Sequence, residues 1–168
     1  SGVVLGLVLT LFRTTRPHTA ELGEINGVYR NLNRFPEATK TRGSLLVRYD
    51  GPLNYASQDH FKGFILSRLV IRKEEGDPIH TVVLSAESIP YLDATGTDML
   101  AALLDELEAA GISLKVAGAI GPVRDVLERA GLMERIGRNQ FHTGIPAALG
   151  MEEIRPRIAT QTFNPNNS

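Results

Sequence analysis

Apolar positions in this chain alternate between short runs rich in β-branched residues and longer stretches with a period of about 3.6. The first strong run covers 44–49 and stops at the turn Asp50-Gly51-Pro52, which predicts a strand. Over 55–73, Phe61, Phe64, Ile65, Leu69 and either Ile71 or Arg72 recur at helical spacing, and Gly76-Asp77-Pro78 breaks the pattern. The run 79–84 is apolar enough to be a central strand covered on both faces. A helix is expected over 97–110, its stripe formed by Met99, Leu100, Leu103, Leu104 and Leu107, with Asp105, Glu106 and Glu108 outside and Gly111 ending it. The next strand covers 112–117. Gly121-Pro122 then opens a helix to Ala130, with proline at its first position. Strand and helix alternate. The fold class is therefore α/β, with a sheet largely parallel in its centre, right-handed crossovers and helices packed against it.

The two ends read differently. Residues 2–12 are apolar and are followed by Arg13 and Arg16. Such a run is too short to cross a hydrocarbon core, which takes roughly 20 residues. A signal peptide would place its positive charge before the apolar part. Two readings stand: the inner end of a membrane helix with its arginines on the cytoplasmic side, or a buried element of a soluble fold. Gly2 and Gly6 form a small-xxx-small pair, a weak sign of helix packing in lipid. Residues 13–42 are rich in Thr, Pro, Asn, Gly and charge, with β-like pieces over 19–25 and 28–30, and are expected to be a linker delivering the first strand. Beyond Gly150 the chain turns polar, and 160–168 shows no pattern that would order it.

Composition narrows the function. The 168 residues carry a formal net charge of -1, which gives no electrostatic case for a nucleic-acid partner. With no cysteine and no tryptophan, thiolate chemistry and indole stacking platforms are excluded. His18, His60, His80 and His142 are scattered without metal-ligand spacing, and no Gly-x-Ser-x-Gly elbow is present. The expectation is a domain that is not an enzyme and uses neither cofactor nor metal.

In an open α/β sheet, ligand and partner contacts collect at the carboxyl ends of the strands. Two loops meet that description, 85–96 and 118–121, and both lead into helix N-termini, where free N–H groups favour an anion. If their strands are neighbours, Thr95 and Gly121 share one rim. Thr95 stands three residues before Asp98, the spacing of a capping box, so its hydroxyl is expected to cap the helix starting at Thr97. Gly118 and Gly121 form a glycine turn that is a candidate anion or nucleotide contact, although no Walker-type Gly-Lys-Ser/Thr accompanies it. In the following helix Val123, Val126, Leu127 and Ala130 are expected in the core, while Arg124, Asp125, Glu128 and Arg129 form an exposed face suited to a partner.

The stretch from Val82 through Asp93-Ala94-Thr95-Gly96 to Leu100 resembles the signature loop of STAS domains, shared by anti-sigma-factor antagonists and the cytoplasmic tails of SulP-type anion transporters. Residues 121–132 are similar to the transporter version. The apolar start, its arginines and the segment through Tyr29, Arg34, Phe35 and Pro36 look like the exit of a last membrane helix. The resemblance covers roughly 2–149. It implies the end of a transmembrane helix over 1–16, a linker and first strand over 17–43, a STAS domain over 44–150 and a tail over 151–168. It also implies a cytoplasmic regulatory domain of a secondary active transporter of sulfate, bicarbonate or a related anion, on the inner face of the cell membrane. Its partners would be the transmembrane domain of the same transporter, and a second protomer or cytosolic regulator, with weak guanine-nucleotide binding a further candidate. The alternative is a freestanding anti-sigma-factor antagonist switched by phosphorylation. In antagonists the position matching Thr95 is a phosphoacceptor serine, so Asp93, Thr95 and Gly96 form the candidate switch loop. This chain departs from the motif with Ala94 where the first serine would stand.

Overall fold

The computed structural model describes residues 18–54 and 58–151. The expected membrane-helix end and the C-terminal tail lie outside the described residues, Met151 excepted. Strand β1 (His18–Ile25) turns through Asn26-Gly27, both at positive φ, into β2 (Val28–Asn31). Then follow β3 (Ser44–Asp50), helix α1 (Gln58–Glu74), β4 (Thr81–Ser85), α2 (Ala94–Ala109), β5 (Ser113–Ala117) and α3 (Gly121–Arg129). Helix α4 (Leu132–Ile136), a 3-10 turn (Arg138–Gln140), β6 (Phe141–His142) and the short α5 (Ile145–Ala148) complete the order.

The six strands form one sheet in the order β2-β1-β3-β4-β5-β6. β3, β4, β5 and β6 are parallel, as the alternation requires, and β1 runs antiparallel to both β2 and β3. The β-like pieces expected within a linker are thus two strands of the sheet. Elements after Ala130 were not read from the sequence, because each is only two to five residues long and too short to show a period.

Side-chain alternation splits the sheet into two faces. Leu45, Val47, Tyr49, Val82, Leu84, Leu114 and Val116 join the helical stripes of α1, α2 and α3 in the main core. Tyr49 meets Phe61 edge to face, ring centroids 5.4 Å apart. The opposite face is covered by α5 alone among the described helices: Leu46, Val83, Ala117 and Leu22 pack with Ile145 and Ala148. β4 is therefore buried on both faces, as its unbroken apolar run predicts.

In α1 it is Arg72, not Ile71, that takes the buried phase of the stripe, at 1% exposure. Its Nη1 donates to Glu21 Oε1 of β1 at 2.7 Å, and its Nη2 to Asp77 Oδ2 at 2.5 Å and the Thr41 carbonyl at 2.8 Å. Arg68 Nε donates to Glu21 Oε2 at 2.7 Å, and the Gly43 N–H donates to Asp77 Oδ1 at 2.9 Å. This network is absent from the sequence reading. Ions removed from water persist only when paired and hydrogen-bonded, and here the partners come from β1, α1, the turn after α1 and the segment leading into β3.

Candidate functional site

β4 and β5 are neighbours, with Ser85 opposite Ala117, so the loops that follow them share the carboxyl rim. The Ala86 N–H continues the ladder by donating to the Ala117 carbonyl at 2.8 Å. Beyond it, the loop turns toward the end of β3. Leu92 forms a parallel bridge with Leu53, and the Asp93 N–H donates to the Leu53 carbonyl at 3.3 Å. Both leucines are buried, so the entrance to α2 is pinned by packing as well as by backbone bonds.

The helix cap differs from the expectation. α2 begins at Ala94, three residues before Thr97, and its cap is Asp93. Asp93 is extended (φ -95°, ψ 179°), and its Oδ1 accepts the Gly96 N–H at 2.8 Å. Thr95 lies half-buried inside the first turn and does not cap the helix, while the Thr97 hydroxyl donates to the Ala94 carbonyl at 2.7 Å. The carboxylate wins because it stands on the extended residue, from which a side chain can reach back to a free N–H. Asp93→Ala should therefore cost about 1 kcal/mol of domain stability and Thr95→Ala less, which chemical denaturation of the two variants will check. Gly96 is buried against Leu53 and Leu92.

Across the rim, Gly118 holds φ +73° and donates its N–H to the His142 carbonyl at 2.9 Å. The Glu87 side chain lies directly over it, where a Cβ would stand. Only glycine fits there, for its conformation and for this contact. Gly121 is the first residue of α3, exposed, with Ile120 as an N-cap that makes no side-chain capping bond. Tyr91 and Ile120 are exposed apolar residues of the two rim loops. The rim thus combines an open helix N-terminus, the exposed Glu87 carboxylate, the capping Asp93 and two apolar side chains, a composition suited to a protein contact. Among the described residues no group of three or more potential metal ligands is gathered.

In α3, Val123 and Leu127 are buried as expected and Val126 packs half-buried beside them, but Ala130 is exposed. Ala130 terminates the helix, so the chain leaves the core's side there. Arg124, Asp125, Glu128 and Arg129 are all exposed. Arg124 stacks over the Phe141 ring at 5.7 Å, and Glu128 accepts from Arg138 Nη2 at 2.5 Å. Arg138 also bonds Glu134, and the Glu128 hydrogen bond followed by that to Glu134 raises its pKa. Half of the expected partner face is therefore already engaged within the domain. Sequence reading missed Glu87, which only its proximity to Gly118 marks out.

Known proteins match this chain as follows. The family model described as STAS domain matches residues 35–145. A probable sulfate transporter of Arabidopsis thaliana, 4.2, is 28% identical over 156 residues, covering 88% of this chain and 23% of the relative. A probable sulfate transporter of Mycobacterium tuberculosis is 30% identical over 151 residues, covering 89% of this chain and 26% of the relative. The chain thus spans about a quarter of the length of these curated relatives. Among solved structures, the murine solute carrier 26 family member A9 anion transporter, in its inward-facing state, superposes with a TM-score of 0.71 at 21% identity. That match covers 88% of this chain and 24% of the other, and at this identity it shows the shared fold.

Proposed function

This chain belongs to the STAS domain family, and from that premise we propose that it serves as the cytoplasmic regulatory and interaction domain of a secondary active inorganic-anion transporter. It is homologous to the STAS domains of SulP sulfate transporters. The observation that carries the proposal is the extent of the match: relatives named as sulfate transporters align over 88% and 89% of this chain, well beyond residues 35–145. In this reading residues 1–16 end a membrane helix, 17–43 lead the chain into the sheet, 44–150 complete the STAS domain and 151–168 form its tail. The partner is the transmembrane part of the same protein, and the ion is sulfate, bicarbonate or a related anion. We assign the domain no catalytic step and no cofactor. No described helix is long and apolar enough to cross a membrane, and the proposal places the ion path in the remainder of the longer protein.

The carboxyl rim and the exposed face of α3 are the surfaces offered for contact. Asp93, Thr95 and Gly96 keep their proposed role as a switch loop: a phosphate on Thr95 would add roughly -1.5 to -2 charge in the first turn of α2. Gly118 and Gly121 are held to contact guanine nucleotides weakly, and a titration showing tight binding away from them would overturn that assignment. The decisive test is sulfate uptake by the complete transporter with and without residues 44–150, at matched membrane abundance. Uptake should fall, or respond no longer to cellular conditions, when the domain is removed. Unchanged and still regulated uptake would sink the proposal. A reading frame with no membrane-spanning segments before residue 1 would leave the freestanding antagonist. For the switch loop, Thr95→Asp and Thr95→Ala should shift uptake in opposite directions; identical uptake would remove the phosphosite.

A further inference from the structure

The half of the second sheet face that α5 leaves open is hollow and basic. A concavity of about 220 Å³ lies over β2-β1-β3, with Ala20 and Leu22 as its floor and Tyr29 and Phe35 among its walls. Arg30, Arg34 and Arg48 line it, against a single acidic lining residue, Asp50. Arg48 Nε donates to Asp50 Oδ1 at 2.8 Å and its Nη2 to Ser88 Oγ at 3.5 Å, an exposed pair that leaves the cluster of three arginines and one aspartate net positive. Arg30 lies over the Phe35 ring, 5.6 Å from its centroid. Neither Arg30 nor Arg34 has a carboxylate partner among the described residues, whereas Arg68, Arg72, Arg135 and Arg138 all do. All three pocket arginines are exposed.

Tyr29 adds a donor. Burial first, and the Glu24 carboxylate second, raise its phenol above the ordinary range. It stays protonated at neutral pH, and its described contact is a long one to Met151 Sδ at 3.9 Å. A planar guanidinium matches phosphate oxygens in pairs, and more than one cation around an apolar floor suits a phosphate carrying an apolar or neutral substituent.

We propose that this concavity binds a phosphate group, with Arg34 and Arg48 as its main ligands and Arg30 at its rim. The source of the phosphate is either a phospholipid headgroup or a soluble phosphate. The pocket stands on its residues alone; the headgroup alternative rests on the transporter reading. Ala20 pairs with Arg48 and His18 with Asp50, so the pocket adjoins the point where β1 enters the described fold. If residues 1–16 end a membrane helix, that point faces the membrane surface.

The test uses the whole chain in two arms. In the first, inorganic phosphate is titrated while backbone amide shifts are followed, and the expected shifts fall on Ala20, Leu22, Asn31 and Arg48. In the second, the chain is sedimented with vesicles of phosphatidylcholine alone or mixed with phosphatidylglycerol. Arg34→Ala and Arg48→Ala, both at exposed positions, should each weaken the binding about tenfold, the usual consequence of losing one charge-assisted contact. Lys73→Ala, at the exposed C-terminal end of α1 and away from the pocket, should change nothing. Circular dichroism melting of each variant confirms that it is folded. Phosphate shifts without a preference for the anionic vesicles assign a soluble ligand, and a preference abolished by both pocket variants assigns the headgroup. Absence of binding in both arms overturns the proposal, as does binding indifferent to Arg34 and Arg48 or equally weakened by Lys73→Ala. None of these outcomes depends on whether the longer protein transports sulfate.

Discussion

Replacing Arg72 with alanine should lower the unfolding free energy of the domain by about 3–5 kcal/mol, the cost of breaking a buried ion pair by removing one partner. The substitution strands Glu21, at 5% exposure, and removes a bond to the Thr41 carbonyl together with the contact to Asp77. Arg68 remains hydrogen-bonded to Glu21 and will keep the carboxylate partly satisfied. Urea unfolding of the variant at neutral pH is the measurement. A loss below about 1 kcal/mol, the scale of an exposed ion pair, would mean that water reaches the network. Glu21→Gln combined with Arg72→Met should cost less than the sum of the two single changes, because the pair would leave together.

The same network makes stability fall in acid. Asp77 titrates below its ordinary range, chiefly because it accepts a hydrogen bond from Arg72, with the Gly43 N–H also lowering it. A depressed carboxylate contributes stability that is fully present above its unfolded value of about 4 and is lost as pH falls through the lower folded value. Asp77→Asn should flatten that part of the curve when unfolding is followed from neutral pH downward. Asp77 is only partly buried, so solvent screening keeps its contribution small.

Gly96→Ala is expected to destabilise the domain by about 1–3 kcal/mol, although alanine is the better helix former by about 1 kcal/mol. A Cβ at this position would stand 2.5 Å from the Leu53 carbonyl oxygen and 2.6 Å from Leu92 Cδ1. The leucine tip can rotate, but the carbonyl belongs to backbone that also accepts the Asp93 N–H. Steric cost therefore outweighs propensity. The change should also displace the start of α2, so amide shifts at Asp93 and Thr95 should accompany the lost stability. An alanine variant as stable as the parent would show that the approach of α2 to Leu53 is looser than described. If Gly121, which has open space around its Cα, is changed to alanine instead, stability should be unaffected or slightly higher.

Local pattern alone determined the central β3, β4 and β5, the helices α1, α2 and α3, and their parallel order, because each has a period long enough to read and a terminating glycine or proline. It placed the two loops at carboxyl ends of strands, and left to the sheet order, with β4 beside β5, whether they meet on one rim. Tertiary structure decided the rest. The cap of α2 passed from Thr95 to Asp93 because the Leu53–Leu92 bridge sets where the chain stops being extended. Arg72, which reads as a surface residue by type, became a core residue because β1 brings Glu21 to it across 51 positions of sequence. The arginine concavity likewise joins residues 20–35 to Arg48, and no spacing along the chain announces it. Periodicity reports which face of an element is buried. It carries no record of which charges the packed elements bring within reach of one another, because that pairing exists only once the sheet has formed.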